Sequence, residues 1–456
     1  MQVRFFQPPS VNAADDKQMK KGANGFAHGH ACKHLWHCIT KTPRTLPWIR
    51  TAKLPGGGPD PATSSGSHQA RPSLPACNLS HNQMRRFSQS LLHGFLLLYT
   101  IIQLAHAESK SIVIGQAIDL SGPAGVIGRD YVAGITTYFD SLNASGGING
   151  HKIKYLVRDD LGDPRRSSKA VTELINSDRI DYLIGGIGAA TTDAVVATPA
   201  FVRSGFQLFA PMTESPRNYG ERVVFWRPGP EQEMHYIFSY FDKLGIRSIG
   251  IAVEDLQRSQ EMYQYVAAEA KRRSMTLAGT AHISSSPVQV EKEAATLAAS
   301  NPNIVIVIGD GVSAGVFLKA FRRHAERTFV AGTSLVNLET LAEMAGPKSL
   351  EWTVFSQVVP NPAGKQSKVQ LDHIAMMKRF RDEALSAATL EGYLAAKTLC
   401  RAIQASGVAS QALQQFTSRT GVLDLGGFVV NPSAPNHHMS SYVDIALFRK
   451  GGNLMY

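Results

Sequence analysis

From residue 111 onward the apolar positions follow two alternating rhythms, one of period two or unbroken, the other near 3.6. SIVIGQAID (111–119) is a β-branched run that predicts a strand, and GRDYVAGITTYFDSLNASGG then spaces its apolar residues as a helix does. HKIKYLVRDD alternates as a strand. DPRRSSKAVTELINSD predicts a helix with Asp163 as N-cap and Pro164 in its first turn. YLIGGIG, ATTDAVVATPAFVRSG and QLFAP continue as strand, helix and strand.

A second series follows VVFWRPGP. It predicts helices over 231–244 and 259–273 around the strand SIGIAVE (248–254), then the strand LAGTAHIS and the helix VQVEKEAATLAAS. NIVIVIGD (303–310) is an apolar central strand, SAGVFLKAFRRH a helix, FVAGTS a strand, NLETLAEMAG a helix and VFSQVVP a strand. Two helices are expected at about 367–384 and 388–406, and GFVVNP and SYVDIALFRKG read as a hairpin or as two edge strands. Strands alternating with helices imply parallel sheets covered on both faces. Two such series predict an α/β protein of two doubly wound, Rossmann-like lobes with a cleft between them. Ligands of such sheets bind beyond the carboxyl ends of the strands.

The first 107 residues lack this rhythm. KLPGGGPDPATSSGSHQARPSLP has too few spaced apolar residues to bury a core, so 1–83 read as a disordered extension or as sequence upstream of the true start. MRRFSQSLLHGFLLLYTIIQLAHA (84–107) has the layout of a secretory signal peptide, with Arg85 and Arg86, an apolar run from Leu91 to Leu104 and Ala105-His106-Ala107 at its end. That run is about 14 residues, short of the roughly 20 that span a bilayer. Cleavage after Ala107 and a periplasmic location are therefore expected.

The formal net charge of +11 suggests nucleic acid as a partner until it is divided. Residues 1–107 hold twelve Lys and Arg against three Asp and Glu, leaving 35 basic and 33 acidic residues beyond them. The main body is close to neutral, and nucleic acid loses its support. HGHACKHLWHC sets Cys32 and Cys38 among four histidines, but the spacing fits no common finger and no second ligand pair follows, so no metal is expected. Beyond residue 107 Cys400 stands alone among apolar residues at helical spacing, which predicts a buried thiol and no internal disulfide.

Three catalytic motifs are missing: there is no H-E-x-x-H, P-loop or paired C-x-x-C. Gly309-Asp310-Gly311-Val312-Ser313-Ala314-Gly315 follows a strand and opens a helix, but the next strand ends in Gly332, Thr333 and Ser334 with no acid for a ribose, so no cofactor is expected. GGIGAATTDA (185–194) leaves backbone amides open at a helix start beside Thr191 and Thr192, which suits a carboxylate as well as ordinary capping. APMTES (210–215) puts Thr213 and Glu214 just after another strand.

These stretches carry a resemblance. IVIGQAIDLSGPAGVIGRDYVAGITTYFDSLNASGGINGHKIKYLVRDDLGDPRRS, with SGP after the first strand, N-A-x-G-G-I-N-G-x-K-I before the second and D-D-x-x-D-P after it, resembles the opening of type I periplasmic substrate-binding proteins of the leucine/isoleucine/valine-binding kind. The likeness runs on through LIGGIG, SQVVPNP, LEGYLAAK and LGGFVV, over nearly all of 109–456. It implies the type I periplasmic binding protein fold, with two lobes joined by three crossings, here expected near Arg227–Pro230, Gln357–Pro360 and Phe428–Pro432. Residues 108–228 and about 358–428 would form lobe 1, and 229–357 and about 429–456 lobe 2. It also implies a monomeric receptor, an ABC permease in the inner membrane as partner, and a small ligand held at its α-carboxylate and α-ammonium. Gly188, Ala189, Thr191, Thr192, Met212 and Thr213 are the positions carried over.

The sequence departs from relatives at Glu214-Ser215, at Gln257-Arg258 and in the loop Gly332-Thr333-Ser334, which approximately matches the loop from which amino-acid binders of the family supply an acid. The expectation is a carboxylate-bearing ligand, with Glu214 or Asp310 as ammonium partner, Arg258 as a second anion contact and Ser334 offering a hydroxyl. A sensory module of the same fold and an enzyme are the alternatives. The enzyme reading finds only His235, placed on a helix surface, as a candidate base.

Overall fold

The computed structural model describes residues 111–215, 217–254, 259–407, 411–448 and 454–455, all within one compact unit spanning Ser90–Tyr456. The signal segment, the His/Cys stretch and Arg258 lie outside the described residues. The first series runs β1 (Ile112–Ile118), α1 (Gly125–Ala144), β2 (Ile153–Asp159), α2 (Pro164–Asn176), β3 (Tyr182–Ile184), α3 (Ala189–Ala197), α4 (Pro199–Ser204), β4 (Leu208–Phe209) and β5 (Val223–Val224). The second runs α5 (Pro230–Lys243), β6 (Ser248–Val253), α6 (Gln260–Arg272), β7 (Thr276–His282), α7 (Pro287–Ala299), β8 (Ile304–Ile308), α8 (Gly311–Phe321), β9 (Phe329–Gly332), α9 (Leu338–Ala345) and β10 (Thr353–Gln357). The chain closes with α10 (Lys368–Phe380), α11 (Ala387–Ser406), α12 (Ala412–Arg419), β11 (Leu423–Asp424), β12 (Val429–Val430), β13 (Asp444–Phe448) and β14 (Leu454–Met455).

The strands form two large sheets, ordered β2-β1-β3-β4-β5 and β14-β13-β10-β9-β8-β6-β7. Every pairing in the first is parallel, and in the second only the β10–β13 and β13–β14 pairings are antiparallel, so β13 alone is reversed. The expected two-lobed α/β architecture is present. Central strands such as β8 are buried along their whole length, as a sheet covered on both faces demands. GFVVNP and SYVDIALFRKG fall in different sheets: β12 pairs with β11, and β13 with β10. The helix α12 escaped the periodicity because Leu413 and Phe416, with the small Ala412, mark its buried face among polar residues.

The late helices return to the first sheet. Close approach makes this possible: a Cβ on Gly134 of α1 would stand 2.0 Å from the Thr389 carbonyl, and one on Gly392 of α11 2.1 Å from that of Tyr131. Two glycines facing opposite backbones let α1 and α11 pack almost in contact, with Leu390, Leu394 and Leu399 fully buried against the first core.

Three passages connect the two bodies. In the first, Trp226 is buried, donates to Thr398 Oγ1 at 2.9 Å and stacks on Phe428, before Pro230 starts α5. The second leaves β10 through the buried Val358 and Val359. The third lies alongside the first: Met439 N–H donates to the Phe225 carbonyl and Ser440 N–H to that of Trp226, both at 2.9 Å. The chain therefore crosses through 440–443, whereas sequence pointed to 428–432; Val430 and Phe428 stay packed in the first core.

Candidate functional site

The acidic motifs of the first body hold turns. Asp119 accepts from the N–H groups of Gly122 (2.5 Å) and Ala124 (2.8 Å), so S-G-P folds back over the end of β1. Asp159 accepts from Leu120 N–H at 2.9 Å and from the Ser121 hydroxyl. Burial pushes its carboxyl up, but these bonds outweigh it and hold the group below the usual carboxylate range. Asp160 takes Ser167 Oγ–H at 2.7 Å, and Asp163 caps α2 through the N–H groups of Arg165 and Arg166. D-D-x-x-D-P is thus a scaffold for the loops at the strand ends.

The next loops form a rim. Gly188 adopts φ +102°, a conformation glycine reaches without strain, and turns the chain from β3 into α3. Gly188 N–H donates to the Met212 carbonyl at 2.7 Å and Met212 N–H to the Gly186 carbonyl at 2.9 Å, which fastens the 210–215 loop to the helix start. Ala189 N–H points at Glu214 Oε1, 3.5 Å away. Thr213 is buried, and its Oγ1 accepts from Ser215 N–H at 3.1 Å. Thr191 and Thr192 turn inward instead: their hydroxyls donate to the carbonyls of Ile187 (2.5 Å) and Gly188 (2.8 Å). Gly188, Ala189, Met212, Thr213 and Glu214 are brought together, while the two threonine hydroxyls serve the helix.

On the second body Asp310 caps α8, its Oδ1 accepting from Ser313 N–H at 2.8 Å. Its own N–H and the Ser313 hydroxyl converge on Glu254 Oε2 at 3.2 and 3.0 Å. Ser334 faces Arg227, accepting from Nη2 at 2.7 Å, and its N–H donates to Glu233 Oε2 at 2.9 Å. At the mouth of the cleft Ser215 Oγ–H donates to Glu261 Oε2 at 3.1 Å, and Arg217 stands between Asp193 (2.7 Å) and Glu261 (3.7 Å). First and second bodies thus touch across the lip.

Between them is a floor that sequence reasoning missed. Arg227, on the first passage, is 3% exposed. Its Nε lies 3.2 Å from Glu391 Oε1 without hydrogen-bond alignment, Nη2 reaches Glu391 Oε2 at 3.5 Å, and Nη1 is buried with no partner. Burial pushes the Glu391 carboxyl up, Arg227 pulls it down and Glu233 pushes it up again, for a net rise. Glu233 also accepts from Ser356 Oγ–H at 2.6 Å. Arg227 and Glu391 border a cavity of about 220 Å³ that reaches both bodies, with Met212, Ser334, Gln357 and Asp130 in its wall. The only sequence signals were an arginine between Trp226 and Pro228, and a glutamate inside the apolar run LEGYLAAK.

The profile of the periplasmic binding protein family matches residues 111–453. The chain belongs to that family. A Leu/Ile/Val-binding protein homolog 1 of Brucella suis is 25% identical over 332 residues, covering 69% of this chain and 84% of the relative. A Leu/Ile/Val-binding protein BraC3 of Rhizobium johnstonii is 23% identical over 317 residues, 68% of this chain and 82% of the relative. Among solved structures, an extracellular ligand-binding receptor from Verminephrobacter eiseniae has a TM-score of 0.69 at 23% identity, with 76% of this chain and 100% of that one covered. The branched-chain amino acid transporter substrate-binding protein LivJ of Streptococcus pneumoniae, solved with isoleucine, has a TM-score of 0.66 at 16% identity, covering 76% and 98%. These likenesses establish the fold.

A periplasmic binding protein holds its ligand and does no chemistry on it, and this chain is a binding protein and not an enzyme. His235 is engaged on the outer surface, its Nδ1 3.1 Å from Glu269 Oε1 beside Arg272 and Arg273. Among the described residues no group of three metal-ligating side chains occurs, and no helix is long and apolar enough to cross a membrane.

Proposed function

We propose that this periplasmic binding protein is the solute receptor of an ABC importer, exported by cleavage after Ala107, and that it closes over one small carboxylate-bearing ligand of amino-acid type. The observation that carries this reading is the pairing of Ala189 N–H with Glu214 Oε1. The ligand head would sit at the α3 start. An α-amino acid presents its carboxylate and ammonium on neighbouring atoms, so its partners must also be neighbours. An N–H at a helix start suits the carboxylate, which would displace Glu214 Oε1 from it, and the Glu214 carboxylate would then turn to the ammonium. Thr213 stands next to both and offers its hydroxyl to the carboxylate.

Closure brings Glu261 of α6 against Ser215 and Arg217, and the closed form is what a permease would read. The relatives named for Leu/Ile/Val binding support the amino-acid class. The test is thermal unfolding of the purified protein against amino acids, amides and short carboxylates. A ligand at 100 times its dissociation constant adds about 2.7 kcal/mol by mass action. A shift with a dinucleotide and with no carboxylate would overturn the proposal. Mass spectrometry of the exported protein should find Glu108 at its N-terminus; residues from 1–83 still attached would remove the export reading.

A further inference from the structure

Arg227 has more hydrogen-bonding capacity than the protein around it uses. Nη2 is committed to Ser334 and Nε to the Glu391 ion pair, while Nη1 is buried and unpartnered, in a residue that lines the interlobe cavity. A guanidinium N–H taken out of water without an acceptor is costly, so the site is complete only when something else supplies one. Three carboxyl groups, on Asp130, Glu339 and Glu391, line the same cavity as this single cation. A ligand carboxylate here would add a fourth. A branched aliphatic group would expel water and leave Nη1 unpaired, and an ammonium, a donor only, would leave it unpaired as well.

We infer that the inner end of the ligand is an uncharged acceptor of carboxamide type, its carbonyl taking Nη1–H of Arg227 and its NH₂ facing the carboxyl groups. This rests on the reading of the rim as the place of an amino-acid head. Met212 joins the two, since its carbonyl holds Gly188 at the rim and the residue lines the cavity. Arg227 is thus the residue that sets specificity for the ligand tail, and leucine, isoleucine and valine are the wrong shape of chemistry for it.

Calorimetric titration of the full chain with isosteres decides the matter. Leucine, asparagine and aspartate form one set of similar shape, norleucine, glutamine and glutamate a second, and ornithine supplies a basic tail. The carboxamide of at least one set should bind about tenfold or more tighter than its aliphatic and carboxylate counterparts, because a site built around a buried donor rejects what cannot pair with it. Leucine or norleucine matching the carboxamide, or ornithine or an acid binding most tightly, overturns the inference and leaves the amino-acid receptor standing. Binding of no amino acid overturns both. In the paired variant Arg227→Met/Glu391→Leu, which leaves neither charge alone, aliphatic and carboxamide affinities should converge to within about threefold. A preference that survives there also overturns it.

Discussion

The loops above the first sheet and the floor between the two bodies both rely on carboxylates, and they answer them in opposite ways. Asp119, Asp159 and Asp163 meet backbone N–H groups of the turns they stabilise. Glu391 meets a guanidinium from a distant part of the chain, and Arg227 reaches on to Ser334 of the other body. Backbone N–H groups at a turn are present whatever the rest of the fold does. A buried ion pair exists only after the bodies have packed, and each ion then depends on its partner.

The largest effect should follow from splitting that pair. Arg227→Ala leaves Glu391 buried without its cation and should cost about 3–5 kcal/mol in urea unfolding of the ligand-free protein, whereas Arg227→Met/Glu391→Leu should recover most of the loss. A single variant as stable as the wild type would show the floor to be as tolerant as the loops.

A second test separates burial from pairing. His373 on α10 is buried, both ring nitrogens lack partners, and burial pushes its pKa down from 6.5 to about 4. The unfolded chain takes up the proton first, so stability from this residue is complete above pH 6.5 and is lost as pH falls toward 4. The loss amounts to about 3 kcal/mol. His373→Phe should remove that part of the acid sensitivity, measured as the difference between the two unfolding curves across pH 7 to 4. Identical pH profiles would contradict it.

The smallest effect belongs to the loops. Asp163→Ala removes the cap of α2 and should cost about 1 kcal/mol in the same unfolding assay, with ligand affinity little changed. A loss as large as that of Arg227→Ala would erase the contrast between the two regions.

Most of the architecture could be read from pattern. Strand and helix alternation gave both lobes, Asp163 was recognisable as a cap from the Pro164 beside it, and Cys400 as a core thiol from its apolar neighbours. The rim was partly readable, since Gly188 and Met212–Glu214 follow strands whose carboxyl ends face the cleft. The directions of the hydroxyls were not. Thr191 and Thr192 turn back to carbonyls of their own helix start, which spacing alone does not distinguish from reaching outward. Nor was the third crossing, because Phe428 and Val430 read equally as a departing strand and as part of the first core.

The sequence by itself determined the period of each element, the parallel sheets that follow from it, and the local bonds between a carboxylate and the turn beside it. All of these depend on residues a few positions apart or on a repeating pattern. Tertiary structure alone decided that Arg227, Ser334 and Glu391 meet. They are separated by 107 and 164 positions from Arg227, and no local signal couples residues so far apart. The proposal that MRRFSQSLLHGFLLLYTIIQLAHA is an export signal belongs with the first kind, since it rests on the residues of that segment alone. The unpartnered Nη1 belongs with the second, and it exists only because two folded bodies enclose it.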